Sequence, residues 1–267
     1  MEYSCEKPET RKETPLKIAR YIHESRVNFG IVEDGQVQEL KSPPFSGIES
    51  SQKSYPLTNV IMLPPVEPTK IIGVGLNYAD HARELGLKPP ETPPLFMKPP
   101  SSLIAHGEEI TYPRASVELN YEAELAIICG TRCKDVSIES ARHNIFGYTC
   151  ANDITARDLQ RLDGQWTRAK GFDTFCPLGP FTSTDLNPNN LRVELKLNGQ
   201  LRQSSTTKNM IFSCSEIFSY VSHIMTLNPG DVILTGTPPG VGFLKVGDAV
   251  EVEIENIGVL SNTVQHF

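Results

Sequence analysis

A chain of 267 residues, 39% hydrophobic and 21% charged, is long enough for one large domain, or one domain with a small appendage, around an ordinary core. A net charge of -7 without any basic stripe excludes nucleic acid and anionic membrane as partners, and no run of about 18 apolar residues is present to span a bilayer. Six cysteines with no C-x-x-C pair, four of them in or beside apolar runs, fit reduced thiols in the cytoplasm or a mitochondrial matrix rather than a secreted disulfide framework.

The 21 prolines and 19 glycines call for many turns and hence a strand-rich fold. Residues 1–15 are charged and polar, unlike a signal peptide, and read as a disordered arm. A small N-terminal β domain and linker is expected over 16–67, with Glu33-Asp34-Gly35 as the hairpin turn between strands at 28–32 and 36–40 and a Ser- and Pro-rich connection from 41 onward. The main domain then covers 68–267. It opens with an apolar strand at 70–75, whose Gly73-Val74-Gly75 lacks the third glycine of a dinucleotide loop.

A short helix or turn follows at 76–86, terminated by Gly86. On it His81 and Glu84 stand at i and i+3, the spacing of a surface pair and equally of a dyad in which the carboxylate orients the imidazole for proton abstraction from water. Prolines at 89, 90, 93 and 94 exclude regular structure there and suit a loop that closes over a site. Lys98, at the end of the next strand, is either a snorkelling edge residue or a cation aimed at an anionic substrate.

The stretch Tyr121-Glu122-Ala123-Glu124-Leu125-Ala126-Ile127-Ile128-Cys129 is apolar on both faces at period two, yet carries two carboxylates on one of them, about 7 Å apart at their Cα atoms. Alternating glutamates also mark a solvated face, as Glu251, Glu253 and Glu255 do opposite Val250, Val252 and Ile254; here Ala126 and Ile128 continue the acidic face as an apolar one. Two carboxylates in such a place need a proton or a cation between them. Asp153 ends a second apolar run at 145–154, and three carboxylates without His or Cys are hard oxygen ligands suited to Mg²⁺, Mn²⁺ or Ca²⁺.

Beyond it, Thr155 and Asp158 have capping-box spacing for a short helix, Arg157 has the look of a structural partner for a carboxylate, and 164–173 reads as a loop holding the chain's one tryptophan. Asn198-Gly199 is the strongest hairpin signal. Ser213 and Glu216 form a capping box for a helix with Ile217, Val221, Ile224 and Met225 as its apolar stripe. The Gly-rich 236–242, after a buried strand, is either a plain tight turn or a loop whose amides, with the Thr237 hydroxyl, hold a carboxylate.

Several of these stretches, in this order, resemble the fumarylacetoacetate hydrolase superfamily over roughly residues 68 to 265: Gly75-Leu76-Asn77-Tyr78-Ala79-Asp80-His81, Phe96-Met97-Lys98-Pro99, Tyr121-Glu122-Ala123-Glu124-Leu125, Asn152-Asp153-Ile154-Thr155-Ala156-Arg157-Asp158, Lys170-Gly171-Phe172-Asp173 and Gly236-Thr237-Pro238-Pro239-Gly240. The stretch Asp163-Gly164-Gln165-Trp166-Thr167-Arg168-Ala169-Lys170 is most similar to the branch of 2-hydroxyhepta-2,4-diene-1,7-dioate isomerases and acylpyruvate hydrolases. The resemblance implies an α+β, strand-rich fold: a mixed β-roll core behind a small N-terminal β appendage, usually in a homodimer. It implies Mg²⁺ or Mn²⁺, with Ca²⁺ as a substitute in crystals, on Glu122, Glu124 and Asp153, a catalytic His81, Glu84 and Lys170, and a substrate surrounded by Lys98, Arg157, Gln160 and Thr237.

The chemistry expected is that of a 2-oxo acid whose enolate is steadied by the dication. An acylpyruvate or β-diketo acid would be cleaved by water, oxaloacetate would lose CO₂, and a 2-hydroxy-dienoate of aromatic catabolism would be isomerised or hydrated. A non-catalytic 2-oxo acid binding protein is the alternative of another class.

Overall fold

The computed structural model describes residues 15–267, so the expected arm, all but Pro15, lies outside the described residues. A 12-stranded sheet dominates, running Ser50–Pro56, Gln36–Leu40, Arg26–Glu33, Lys17–His23, Cys176–Ser183, Ile145–Asn152, Ala123–Cys129, Val232–Leu234, Ile71–Val74, Leu95–Lys98, with two short strands off this path. The pair Val232–Leu234 and Ile71–Val74 is parallel, whereas Ala123–Cys129 is antiparallel to both its neighbours. A five-stranded sheet, Gln200–Thr206, Arg192–Leu197, Ala249–Ile254, Gly258–His266 and Glu109–Tyr112, is the second layer.

Period two explains why Ala123–Cys129 lies at the centre. Leu125, Ile127 and Cys129 share the main core with Val193, Leu195, Val250, Val252 and Ile254 of the second sheet. On the opposite face Ala126 and Ile128 pack with Leu178, Val232, Leu234 and Val66 in a separate cluster. The strand is thus buried on both sides, as its composition requires. Glu251 and Glu253 face away from that core and Glu255 is exposed, the pattern expected of the C-terminal strand.

Both hairpins form where the turn chemistry places them. Asp34 and Gly35 have φ of 47° and 74°, Asn198 and Gly199 of 51° and 75°, the left-handed pair that two-residue turns need. Helix Cys214–Ile224 carries the expected Ser213 and Glu216 capping box. Of the expected stripe Ile217, Val221 and Met225 pack in or against the main core, whereas Ile224 is exposed and Cys214 and Phe218 are buried in its stead.

Other departures have equally local causes. The segment from 41 onward is more than a connection, since Ser50–Pro56 adds an edge strand and Ile61–Met62 pairs with Lys17–His23. The N-terminal strands join the main sheet through Lys17 opposite Ser183 and Ile18 opposite Thr182. Residues 164–173 are not wholly loop, as Thr167–Lys170 is a helical turn. Helix Arg157–Asp163 has no side-chain cap: the Thr155 hydroxyl donates to Asp153 O (3.0 Å), while Asp158 accepts from Ser116 Oγ (2.6 Å) and Val117 N–H (3.0 Å). No helix among the described residues is long and apolar enough to cross a membrane.

Candidate active site

The acidic strand is interrupted where the chemistry lies. Leu119–Tyr121 belongs to a three-stranded sheet with Thr155–Ala156 and Gly242–Leu244, Ala123–Cys129 to the large one, and Glu122 sits at the crossing between them. Its freed backbone groups are used locally: Glu122 N–H donates to Asn152 Oδ1 (2.9 Å) and Glu122 O accepts from Asp153 N–H (2.9 Å). That exchange draws Asp153, just past strand Ile145–Asn152, against Glu122. Carboxylate oxygens of Glu122, Glu124 and Asp153 then lie within 4.8 Å of one another, all three residues buried.

Cations compensate part of this charge. Lys98 Nζ donates to Asp153 Oδ1 (2.5 Å) and Ile154 O (3.1 Å). Lys170 Nζ, over the Phe96 ring, donates to Glu122 Oε2 (2.8 Å) and to Asp153 Oδ2. Arg157 pairs with Glu122 Oε1 and donates to Gln160 Oε1 (2.6 Å). Burial alone would raise the Glu122 carboxyl, but Lys170 and Arg157 outweigh it and hold the group at about 2. Burial would likewise lower the Lys170 ammonium, yet Asp153 and Glu122 keep it above the ordinary lysine value.

Glu124 is the exception. Burial, then the charges of Asp153 and Glu122, push it well above the usual carboxylate range, against only Lys170 and the Gly236 N–H on Oε2 (2.6 Å). A dication among the three oxygens would reverse that balance and favour the ionised form. An all-carboxylate donor set in this state fits a hard divalent ion, and among the described residues it is the one such cluster.

A cavity of about 380 Å³ opens beside these groups. His81, Glu122, Arg157, Gln160, Lys170 and Thr237 line it, and Val74, Leu76, Leu85, Leu87, Phe96 and Trp166 supply apolar wall. His81 comes from helix Ala79–Glu84; its Nδ1 lies 2.7 Å from Glu84 Oε2, and Glu84 Oε1 accepts from Gly240 N–H (3.1 Å). The i, i+3 pair thus stands with its imidazole at the cavity and its carboxylate fixed by the Gly-rich loop. That loop spends two amides on the protein's own carboxylates, Gly236 on Glu124 and Gly240 on Glu84.

Of the four expected substrate contacts, Lys98 alone is sealed away from the cavity. It is 1% exposed and bound to Asp153, so neither the snorkelling nor the substrate-facing placement describes it. Glu124 and Asp153 lie beneath Glu122, and Glu84 stands behind His81. Residues to which the sequence assigned no role support these: Asn152 through the Glu122 amide, Asn77 through Thr235 O (2.7 Å) and Phe212, and Gln203 through Ala123 and Thr237. For Asn152 the signal was its position next to Asp153; Gln203, on a hairpin strand, gave none.

Residues 70–265 match the fumarylacetoacetate (FAA) hydrolase C-terminal family, and residues 16–65 match a family described as Rv2993c-like, N-terminal. The chain belongs to the fumarylacetoacetate hydrolase family. An uncharacterized protein of Methanocaldococcus jannaschii is 56% identical over 75% of this chain and 84% of its own length. The mitochondrial oxaloacetate tautomerase fahd2 of Xenopus laevis is 42% identical over 78% of this chain and 71% of its own. Among solved structures, 2-hydroxyhepta-2,4-diene-1,7-dioate isomerase from Mycobacterium marinum is similar with a TM-score of 0.89 and 40% identity, covering 94% of this chain and 98% of the other. Maleylpyruvate hydrolase from Sphingobium sp. SYK-6, in complex with manganese (II) ion and pyruvate, is similar with a TM-score of 0.78 and 28% identity over 94% of this chain and 99% of the other. The chain is accordingly an enzyme of this divalent-metal-dependent family, and the binding-protein alternative is set aside.

Proposed function

We propose that this enzyme acts on 2-oxo acids with Mg²⁺ or Mn²⁺, hydrolysing a C–C bond of an acylpyruvate or β-diketo acid or decarboxylating oxaloacetate. The observation that carries the reading is the convergence of the His81–Glu84 dyad and the edge of the Glu122, Glu124, Asp153 cluster on one cavity. A divalent ion would be held by Glu122, Glu124 and Asp153 and would supply charge stabilisation for the enolate oxygen of the substrate.

The chain's own groups do the rest. Glu84 holds Nδ1 of His81, leaving Nε2 to take a proton from water or from the substrate's C3. Lys170 and Arg157 keep positive charge in the cavity wall for the 2-oxo acid carboxylate, and Gln160 and Thr237 add hydrogen-bonding groups to its lining. The apolar wall from Leu85 to Trp166 takes the remainder of the substrate and excludes bulk water.

Proton transfer at C3 without bond cleavage is the second reading. It is favoured by the relatives named oxaloacetate tautomerase and by the isomerase structure, and it extends to isomerisation or hydration of 2-hydroxy-dienoates. Incubation of purified protein and Mn²⁺ with acetylpyruvate, oxaloacetate and a hydroxymuconate separates the two. Bond cleavage or CO₂ release supports the first; enol-to-keto conversion alone, with no pyruvate formed, supports the second.

The exposed apolar side chains Val117, Phe243, Val246 and Phe267 support a homodimer, to be read by sedimentation. Four buried free thiols, Cys129, Cys150, Cys176 and Cys214, support a reducing compartment such as the cytoplasm or the mitochondrial matrix.

A further inference from the structure

We infer that Gln203 is a positioning residue, fixing the Thr237 hydroxyl as a hydrogen-bond donor into the cavity, toward an anionic oxygen of the substrate. The inference rests on the reading of the cavity as a 2-oxo acid site.

Gln203 is a fully buried amide on strand Gln200–Thr206. Its Oε1 accepts from Ala123 N–H (2.9 Å), and its Nε2 donates to Pro238 O (2.8 Å) and to Thr237 Oγ1 (2.9 Å). The orientation of the amide follows from its partners: a backbone N–H can only donate and a proline carbonyl can only accept. Nε2 therefore faces Thr237, and the Thr237 oxygen is an acceptor in that bond. Its own proton has to point elsewhere, and Thr237 lines the cavity.

The loop has no freedom to relax this arrangement. Gly240 is at φ +94°, and a Cβ there would stand 2.3 Å from Arg202 O, so the loop backbone is pressed onto the strand that carries Gln203. Gln203 also grips Ala123, the residue between Glu122 and Glu124. One amide thus sets the register between the carboxylate cluster and the hydroxyl that would bind the substrate's other end.

The test is a double-mutant cycle on the full chain with Mn²⁺, with pyruvate and oxalate affinity read by calorimetry. Gln203→Glu replaces the donor by an acceptor and turns the Thr237 proton inward, away from the cavity; Gln203→Met removes the donor. Thr237→Val removes the hydroxyl and Thr237→Ser keeps it. Gln203→Glu and Thr237→Val are each expected to weaken pyruvate binding roughly tenfold, and the double variant no further than either alone. Thr237→Ser should bind within about threefold of wild type. KM should rise while Mn²⁺ affinity changes less than about threefold.

Full loss from Gln203→Glu in the Thr237→Val background would make Gln203 merely structural and overturn the inference. So would wild-type affinity in Thr237→Val, a result that needs no Gln203 variant to fold; Gln203→Met carries the cycle if Gln203→Glu does not. Wild-type protein that binds Mn²⁺ but neither pyruvate nor oxalate would instead overturn the 2-oxo acid reading itself, and this inference with it.

Discussion

Replacing Lys170 by Met tests the charge balance on which the site is built. Methionine keeps the apolar stem that lies by Phe96 and deletes the ammonium that bridges Glu122 and Asp153. All three side chains are almost wholly shielded, at 3%, 9% and 1% exposure, so solvent cannot replace the lost partner. Three cations, Lys98, Arg157 and Lys170, pair with Glu122 and Asp153 in the wild type, while Glu124 is pushed toward its neutral form; the variant has two. Unpairing a buried ion pair costs about 3–5 kcal/mol, and the lower end applies because Glu122 keeps Arg157 and Asp153 keeps Lys98.

For a chain of this size about 3 kcal/mol is roughly 6–12 °C of Tm. The variant should melt that much earlier than wild type in chelator. A divalent ion restores the missing positive charge, so Mn²⁺ in excess should return most of the difference, giving the variant a larger metal-dependent gain than wild type. Thermal unfolding of both proteins at pH 7, in chelator and in excess Mn²⁺, reads this directly, and turnover should stay lost in both conditions. A variant that melts within about 2 °C of wild type in chelator, or gains no more from Mn²⁺, refutes the charge accounting.

Glu124→Gln should weaken Mn²⁺ uptake by at least about 100-fold in calorimetry, and unchanged uptake would remove the carboxylate cluster as the metal centre. His81→Ala should lower kcat by about 10²–10⁴-fold while oxalate affinity stays within a few-fold, whereas equal loss of both would make His81 a binding group. Asp231, fully buried, accepts from Thr69 Oγ1 (2.7 Å), Thr69 N–H (2.9 Å) and Asn228 N–H (2.8 Å) and pairs with Lys70. Burial alone would raise its carboxyl, but Lys70, the Asn228 amide and Thr69 hold it below the ordinary value. Its stabilising contribution is therefore complete above about pH 4 and fades as pH falls through the lower folded value. Asp231→Asn should cost about 2–4 kcal/mol in urea unfolding at pH 7, with the gap from wild type narrowing as pH falls below about 4; a gap that does not narrow contradicts the assignment.

Much of the site was legible because its parts violate local rules. Two glutamates in a strand apolar on both faces, with an aspartate closing the next apolar run, cannot be an ordinary buried surface, and the structure brings those three together. His81 and Glu84 were legible as a pair by helical spacing, but whether they faced solvent or a cavity was not. Lys98 shows the limit: a lysine ending a strand has the same pattern whether it snorkels, binds substrate or, as here, neutralises a buried aspartate. Gln203 left no trace at all, since a glutamine on a hairpin strand is ordinary until Ala123 and Thr237 arrive from distant segments.

The amino-acid order by itself determined what depends on neighbours along the chain: the left-handed turns at Asp34-Gly35 and Asn198-Gly199, the Ser213 cap, the central apolar strand and the acidic pair within it. Folding alone decided the break at Glu122, the fusion of the N-terminal strands to the main sheet and the assignment of each cation to its carboxylate. The reason is one of range. Dihedral preference and side-chain period act over a few residues, whereas burial and charge pairing depend on groups that meet only when segments as far apart as Lys98, Glu122 and Lys170 share one interior.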